Sequence, residues 1–382
     1  MTPRLLLSCG EPSGDLYAGA LTRELRSLAP GISVRGLGGP AFAAAGGELI
    51  EDYRGIAVTG FTEVIAKLPR SFKTLTSLVA AARAERPDAL VVIDFPDFNV
   101  RLARRVKTLG IPVVYYISPQ IWAWRPGRLG TIREIADRVL VIFPFEVDVY
   151  KKAGVPVEFV GHPLVDLARA SASREAFLRR VGLTPSAPTL AILPGSRPNE
   201  IRRILPDLVK AACEIRSRIP GAQFVVARAP NLEGEQFRAA CDASLPMEVV
   251  EDETDTVLAS ADVALTASGT ATVQAAIHDT PMVVVYRLSP VTYLLGRPLV
   301  KVDTYAMVNL IAGERIVPEL IQGAFTPTAV ADEAVSMLTD PARARRIRDG
   351  LARVRARLGG PGASRRAAEA VLSVMGDTTK RS

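Results

Sequence analysis

Four short segments carry residue types and spacings that could do chemistry. Residues 10–15 read GEPSGD and bring Glu11, Ser13 and Asp15 into one turn, where two glycines permit a sharp bend and a close approach of backbone to ligand. Residues 94–99 read DFPDFN, placing Asp94 directly after an apolar run. A carboxylate there can take a proton from an attacking hydroxyl or orient it, whereas Asp97 fits better as a turn cap. Residues 194–200 read PGSRPNE: Gly195 and Ser196 offer backbone N–H groups, and Arg197 adds a fork of donors for phosphate oxygens, so a diphosphate can be neutralised without a metal ion. Residues 267–274 read ASGTATVQ, where Ser268, Gly269 and Thr270 open a helix whose first amides suit phosphate or ribose hydroxyls. The structural alternatives are an ordinary strand-to-helix turn with Ser13 or Asp15 as N-cap, and a surface arginine beside a helix cap.

These loops matter only if the elements before them share an edge. In open parallel sheets ligands bind beyond the carboxyl ends of the strands. Apolar runs at 4–9, 88–94, 111–117 and 137–143 alternate with helix-compatible sequence, and the pattern restarts at 189–196 and continues through 222–228, 247–251, 262–268 and 281–287. Strands without polar alternation belong to parallel sheets covered on both faces. Each of the four segments follows such a run. Helix starts are expected near Leu16 and, because Pro96 delays it, beyond Asp97 and Asn99.

The expected architecture is α/β with two Rossmann-like, doubly wound domains facing a central cleft: 1–166, 167–340, and basic C-terminal helices over 341–382 crossing back to the first domain. In the last segment Ile347, Leu351, Val354 and Leu358 form one apolar stripe. Neither a GxxxxGK[ST] lysine nor a full GxGxxG is present, which removes the main support for P-loop phosphotransfer and dinucleotide reduction.

Composition narrows the function classes further. Hydrophobic residues make up 48% and charged residues 23% of 382 positions, a balance that suits a chain folded throughout. No apolar run approaches the ~20 residues of a membrane helix, and the start holds only a strand-like run, so neither a span nor an export signal is expected. Three widely spaced cysteines and the isolated His162 and His278 give no disulfide framework and no metal site; no metal and no cofactor are expected. The net charge of +7 is carried by 341–382, with eleven Lys/Arg against three acidic residues. Such a cluster suits anionic lipid or nucleic acid, or is a solvated helix face.

Between 60 and 75, Phe61, Ile65, Leu68 and Phe72 interleave with Lys67, Arg70 and Lys73. Apolar anchors among cations suit a membrane-surface patch, or a helix lying on its own core, although Pro69 argues against one uninterrupted helix. Trp122 and Trp124 read as core.

Taken in order, GEPSGD, DFPDFN, YYISPQIWAWR (115–125), FPFE (143–146), GHP (161–163), LPGSR (193–197), ASGT (267–270) and VNLIAGE (308–314) closely resemble the lipid-A-disaccharide synthase family of GT-B glycosyltransferases, over some four fifths of the chain. The resemblance implies an inverting transfer of 2,3-diacylglucosamine from UDP to the 6-hydroxyl of 2,3-diacylglucosamine 1-phosphate (lipid X), giving the β-1,6 lipid A disaccharide 1-phosphate and UDP. It implies Asp94 as base, Glu11, Ser13 and Asp15 on the acceptor-side loop, and Gly195, Ser196, Arg197, Ser268, Gly269, Thr270, Gln274 and Asn309 around UDP. It also implies a cytoplasmic protein held peripherally at the inner membrane, with no nucleic-acid partner; a homodimer stays open. The family commonly has glutamate where this chain has Gln274, which offers one acceptor and one donor instead. A UDP-N-acetylglucosamine 2-epimerase or a lipid-II-type transferase would use the same two anion loops, but DFPDFN and SPQIWAW disfavour both. A nonenzymatic lipid- or nucleic-acid-binding protein would explain the basic tail and leave Asp94 and Arg197 without a purpose.

Overall fold

Ala89–Ile93, Thr189–Leu193 and Val263–Ala267 are buried along their whole length, as parallel strands with both faces covered must be. The structure, a computed structural model, describes residues 2–55, 61–119, 129–230, 232–242, 244–288 and 304–379, with backbone alone over 61–68 and 377–379. It divides into two compact units, Met1–Val165 with Leu358–Ser382, and Asp166–Arg357.

In the first unit β1 (Arg4–Cys9), β2 (Ser33–Gly38), β3 (Glu48–Asp52), β4 (Ala89–Ile93), β5 (Val113–Tyr116), β6 (Arg138–Val141) and β7 (Val157–Phe159) form a parallel sheet in the order β3-β2-β1-β4-β5-β6-β7. In the second, β8 (Thr189–Leu193), β9 (Gln223–Arg228), β10 (Met247–Glu251), β11 (Val263–Ala267), β12 (Met282–Tyr286) and β13 (Glu319–Ile321) run parallel in the order β10-β9-β8-β11-β12-β13. The winding direction reverses between β1 and β4, and again between β8 and β11. A reversal leaves a crevice at the carboxyl ends of the two strands, because the crossovers leave to opposite sides. GEPSGD and DFPDFN follow β1 and β4, registered through Cys9 beside Ile93; PGSRPNE and ASGTATVQ follow β8 and β11, registered through Leu193 beside Thr266. Topology thus sorts four scattered segments into two pairs, one per unit.

Several local expectations are corrected. Helix α1 (Pro12–Leu28) begins at Pro12, not near Leu16. The short α2 (Pro40–Ala44) also opens on a proline. Helix α3 (Phe61–Glu85) runs through Pro69, and α4 (Pro96–Lys107) starts at Pro96, so Asp97 and Asn99 lie in its first turn. Proline at the first helical position forfeits no hydrogen bond and brings a helical φ, so Pro12 and Pro96 start helices. Within α3 the buried Thr74, Leu75, Leu78 and Ala82 supply packing that outweighs the cost of Pro69.

The basic tail divides. Pro341–Arg357 belongs to the second unit, burying Ile347, Leu351 and Val354, with Arg355 on Asp279 at 2.7 Å and Arg357 donating to the Ile311 carbonyl at 2.6 Å. The tail from Leu358 belongs to the first unit, where Ala363–Thr379 packs on α1 and Arg366 donates to the Val160 carbonyl at 2.9 Å. These arginines serve the fold. The strands β2, β3, β7 and β13 carry no apolar run that marks them in sequence. In β2, Gly36 at φ 157° is required by its neighbour, since a Cβ there would lie 1.8 Å from the Leu7 carbonyl oxygen.

Candidate active site

The first-unit pair is built around a strained turn. Asp94 and Phe95 follow β4 at φ 43° and 47°, and Ile117, after β5, sits at φ 55°. Left-handed backbone costs a residue with a Cβ roughly 1–3 kcal/mol, and such strain persists only where surrounding bonds dictate it. Those bonds are present: the Asp94 N–H donates to the Ile117 carbonyl at 3.2 Å, and the Asp94 carbonyl accepts from Asn99 Nδ2 at 2.8 Å and the Tyr115 hydroxyl at 3.0 Å. Asn99, fully buried, also donates to the Ile93 carbonyl at 3.1 Å and accepts the Ser8 hydroxyl at 2.7 Å, tying β1 to β4. The side chain of Asp94 is half-buried at the end of the strand, while Asp97 is exposed in the first turn of α4, where an acid complements the helix dipole. Pro96, Asp97, Val100, Arg101, Arg104 and Thr131 line a cavity of about 250 Å³ beside this turn.

On the β1 side, Gly10 is dictated by packing: a Cβ would meet the Phe95 ring at 2.2 Å. Glu11 takes the N-cap position of α1, and Ser13 follows half-buried in its first turn. Asp15, expected on the same loop, has its carboxylate engaged by backbone. Its buried carboxylate accepts the amides of Gly39 at 2.7 Å, Ala41 at 2.9 Å and Phe42 at 3.0 Å, capping α2. Asp15 holds the β2 turn in place.

In the second unit Gly195 (φ 124°) turns the chain after β8, Arg197 is the N-cap of Pro198–Arg218, and Pro198 again occupies the first helical position. Ser268 donates its hydroxyl to the Tyr305 carbonyl at 3.0 Å, Gly269 is the N-cap of Thr270–Ile277, and both Gly269 and Thr270 are exposed. Gln274, one turn on, donates Nε2 to Asp255 at 3.1 Å, and the same Asp255 oxygen pairs with His278 Nε2 at 2.9 Å. The amide oxygen of Gln274 is what this arrangement leaves for a donor.

Asn309, expected around UDP, makes internal hydrogen bonds with both of its amide groups. It is 1% exposed; Nδ2 donates to the Val317 carbonyl at 3.0 Å and Glu319 at 2.6 Å, and Oδ1 accepts from Ile316 at 2.8 Å and Val317 at 3.0 Å. Glu319 in turn accepts the amides of Tyr305 at 2.8 Å and Ala306 at 3.0 Å. The pair fixes the segment that meets Ser268. Sequence reasoning missed Asn99, Asp255 and Glu319, whose roles depend on partners far away in the chain. Only Asn99 carried a signal, as part of DFPDFN.

His162 is buried and held neutral, its pKa pushed down to about 3 by burial alone. Its Nδ1 accepts the Leu164 amide at 3.2 Å, so the proton rides on Nε2. Of the surface patch, Arg70, Phe72 and Lys73 are exposed on α3, with Phe72 at 61% and the Arg105 guanidinium 5.5 Å from its ring centre. The side chains of Phe61, Ile65, Lys67 and Leu68, and the whole of Trp122 and Trp124, lie outside the described residues. Among the described residues no helix is long and apolar enough to cross a membrane.

A family model described as Lipid-A-disaccharide synthetase matches residues 5–374. The chain is 45% identical over 374 residues to the Lipid-A-disaccharide synthase of Myxococcus xanthus, covering 98% of each, and 43% identical to that of Geobacter metallireducens, covering 98% of this chain and 97% of the relative. Among solved structures it resembles the UDP-GlcNAc 2-epimerase of Neisseria meningitidis bound to UDP-GlcNAc, with TM-score 0.71 at 11% identity over 98% of this chain and 100% of that one. It also resembles the glycotransferase of kitacinnamycin, with TM-score 0.66 at 20% identity over 98% and 100%. At such identities the structural likeness speaks for the fold alone.

Proposed function

The chain belongs to the lipid-A-disaccharide synthetase family and is a glycosyltransferase of the GT-B fold, and from this premise we propose that it joins UDP-2,3-diacylglucosamine to 2,3-diacylglucosamine 1-phosphate. The products are the β-1,6 disaccharide 1-phosphate of lipid A biosynthesis and UDP. The observation that carries the mechanism is the left-handed Asp94, clamped through its own backbone by Asn99 and Tyr115.

In this reading the Asp94 carboxylate takes the proton of the acceptor 6-hydroxyl as that oxygen attacks the sugar C1. The bond from C1 to the UDP oxygen breaks on the opposite face, and one displacement inverts the anomeric centre. A single base is enough, without a covalent intermediate. Charge developing on the departing diphosphate is met by the Gly195–Ser196–Arg197 turn and the first amides of the Thr270 helix, with Gln274 toward the ribose. Glu11 and Ser13 face the acceptor, while Asp15 keeps their neighbouring turn in place. We further propose that the protein works peripherally at the cytoplasmic face of the inner membrane, touching it through Phe72, Arg70 and Lys73.

The test is to supply UDP-2,3-diacylglucosamine and the acylated monosaccharide phosphate without divalent metal and follow disaccharide and UDP. Wild-type protein that forms neither refutes the reading. The epimerase alternative predicts instead conversion of UDP-N-acetylglucosamine without any acceptor, and the family match speaks against it.

A further inference from the structure

The turn expected to receive a diphosphate already contains an anion. Glu200, in the first turn of Pro198–Arg218, folds its side chain back over Gly195. Its Oε2 accepts the Ser196 amide at 3.1 Å, its Oε1 accepts the Tyr286 hydroxyl at 3.3 Å, and Arg197 Nη1 stands 3.7 Å from the same Oε1. The fit is close enough to dictate Gly195, where a Cβ would lie 2.3 Å from Oε2. A backbone amide, a guanidinium and a hydroxyl converging on two oxygens is what a phosphate group would ask of this loop. The Glu200 side chain is 15% exposed, so it is seated in the turn and not merely near it.

We propose that Glu200 is the resident anion of this turn: it holds Ser196 and Arg197 in receiving geometry when the diphosphate is absent, and it opposes the diphosphate when it arrives. The inference rests on the reading that this turn takes the diphosphate of UDP. A carboxylate that competes for the same donors weakens the complex with product as well as with donor. It therefore speeds departure of UDP, which matters in a transferase whose leaving group is bound by several donors. Burial raises the Glu200 carboxyl, with Arg197 pulling the other way, so the charge is held at a cost that a phosphate dianion beside it would increase. Tyr286, half-buried and pushed up to about 12 chiefly by burial and next by the charge of Glu200, stays a neutral donor. Glu200 acts through the loop and is a positioning residue.

The experiment measures binding of pyrophosphate, UDP and uridine to the full chain by calorimetry, for wild type and Glu200→Gln. Glutamine keeps an acceptor for the Ser196 amide and loses the charge. The expected result is roughly tenfold tighter pyrophosphate and UDP, as removal of a like charge at this range allows, with uridine unchanged. UDP should also become a stronger product inhibitor while turnover falls. Pyrophosphate and UDP that bind equally well or more weakly overturn the proposal, because Glu200 would then only brace Arg197. Should Glu200→Gln fail to fold, Glu200→Ala replaces it. It removes the charge outright and should likewise tighten pyrophosphate severalfold; no change or a weakening overturns the proposal. Pyrophosphate needs no nucleoside pocket, so this outcome separates from the glycosyl-transfer assay: inactive wild type with a tighter Glu200→Gln variant refutes the transfer and leaves the resident anion standing.

Discussion

Asn99 donates its amide to the backbone carbonyl of Asp94 at 2.8 Å, five residues earlier, while its own oxygen accepts the hydroxyl of Ser8 at 2.7 Å from the neighbouring strand. One buried side chain thus sets the angle at which β4 releases Asp94. Asn99→Ala takes the partner from the Ser8 hydroxyl and from the Ile93 carbonyl, and leaves the Asp94 carbonyl with the Tyr115 hydroxyl alone. The expected cost is roughly 2–4 kcal/mol, read as a lower urea midpoint, together with a fall in kcat that Asn99→Ser only partly restores. Unchanged stability would mean that water reaches this turn.

Asp94 and Asp97 separate cleanly by environment. Asp94→Ala should lower turnover by roughly 10²–10⁴ while UDP binding holds. Asp97→Ala, which removes an exposed first-turn acid, should cost roughly 0.5 kcal/mol of stability and little activity. Steady-state kinetics beside UDP titration decides it, and an active Asp94→Ala removes Asp94 as the base.

Arg197 and Asn309 carry different loads. Arg197→Ala should weaken UDP by roughly tenfold to a hundredfold with a near-normal melting temperature. Asn309→Ala breaks four internal hydrogen bonds, so it should lower the melting temperature by several degrees. If Asn309→Ala lost UDP affinity with stability intact, the internal assignment would be wrong.

His162 makes stability depend on acidity in a defined window. Its folded pKa is depressed to about 3 from 6.5, so between those values the unfolded chain binds a proton that the folded one refuses. Stability from the buried neutral ring is complete above about pH 6.5 and is lost as pH falls toward 3, at up to about 1.4 kcal/mol per unit. Urea midpoints from pH 7 to 4 should slope less in His162→Gln than in wild type. Equal slopes would assign the acid sensitivity to other groups.

Phe72 tests the surface patch. Phe72→Glu puts charge at a position that is 61% exposed, so folding should be unaffected. Sedimentation with anionic vesicles should show roughly tenfold weaker association. Equal association would move the membrane contact elsewhere.

Much of the fold is legible because unbroken apolar runs are local. β1, β4, β8 and β11 announce themselves, and so do the loops after them. Strands such as β2, with Gly36 at a close crossing, and β13, three half-buried residues, are strands only because a neighbour is there to pair with. Proline misled where its position within a helix mattered more than its presence. Pro12 and Pro96 open helices, and Pro69 is carried by packing three turns long.

The site divides along the same line. The residue types at the strand ends, Asp94 after β4 and the Gly195–Arg197 turn after β8, are legible along the chain, since short motifs need only their own spacing. Which partners the polar side chains take is visible only in the folded chain. Asp15 is spent on the amides before α2, Asn309 is closed upon Glu319, and Glu200 sits in the anion turn. The reason is physical: a buried polar group must find a partner, and which partner it finds is set by distance in space, which spacing along the chain does not record.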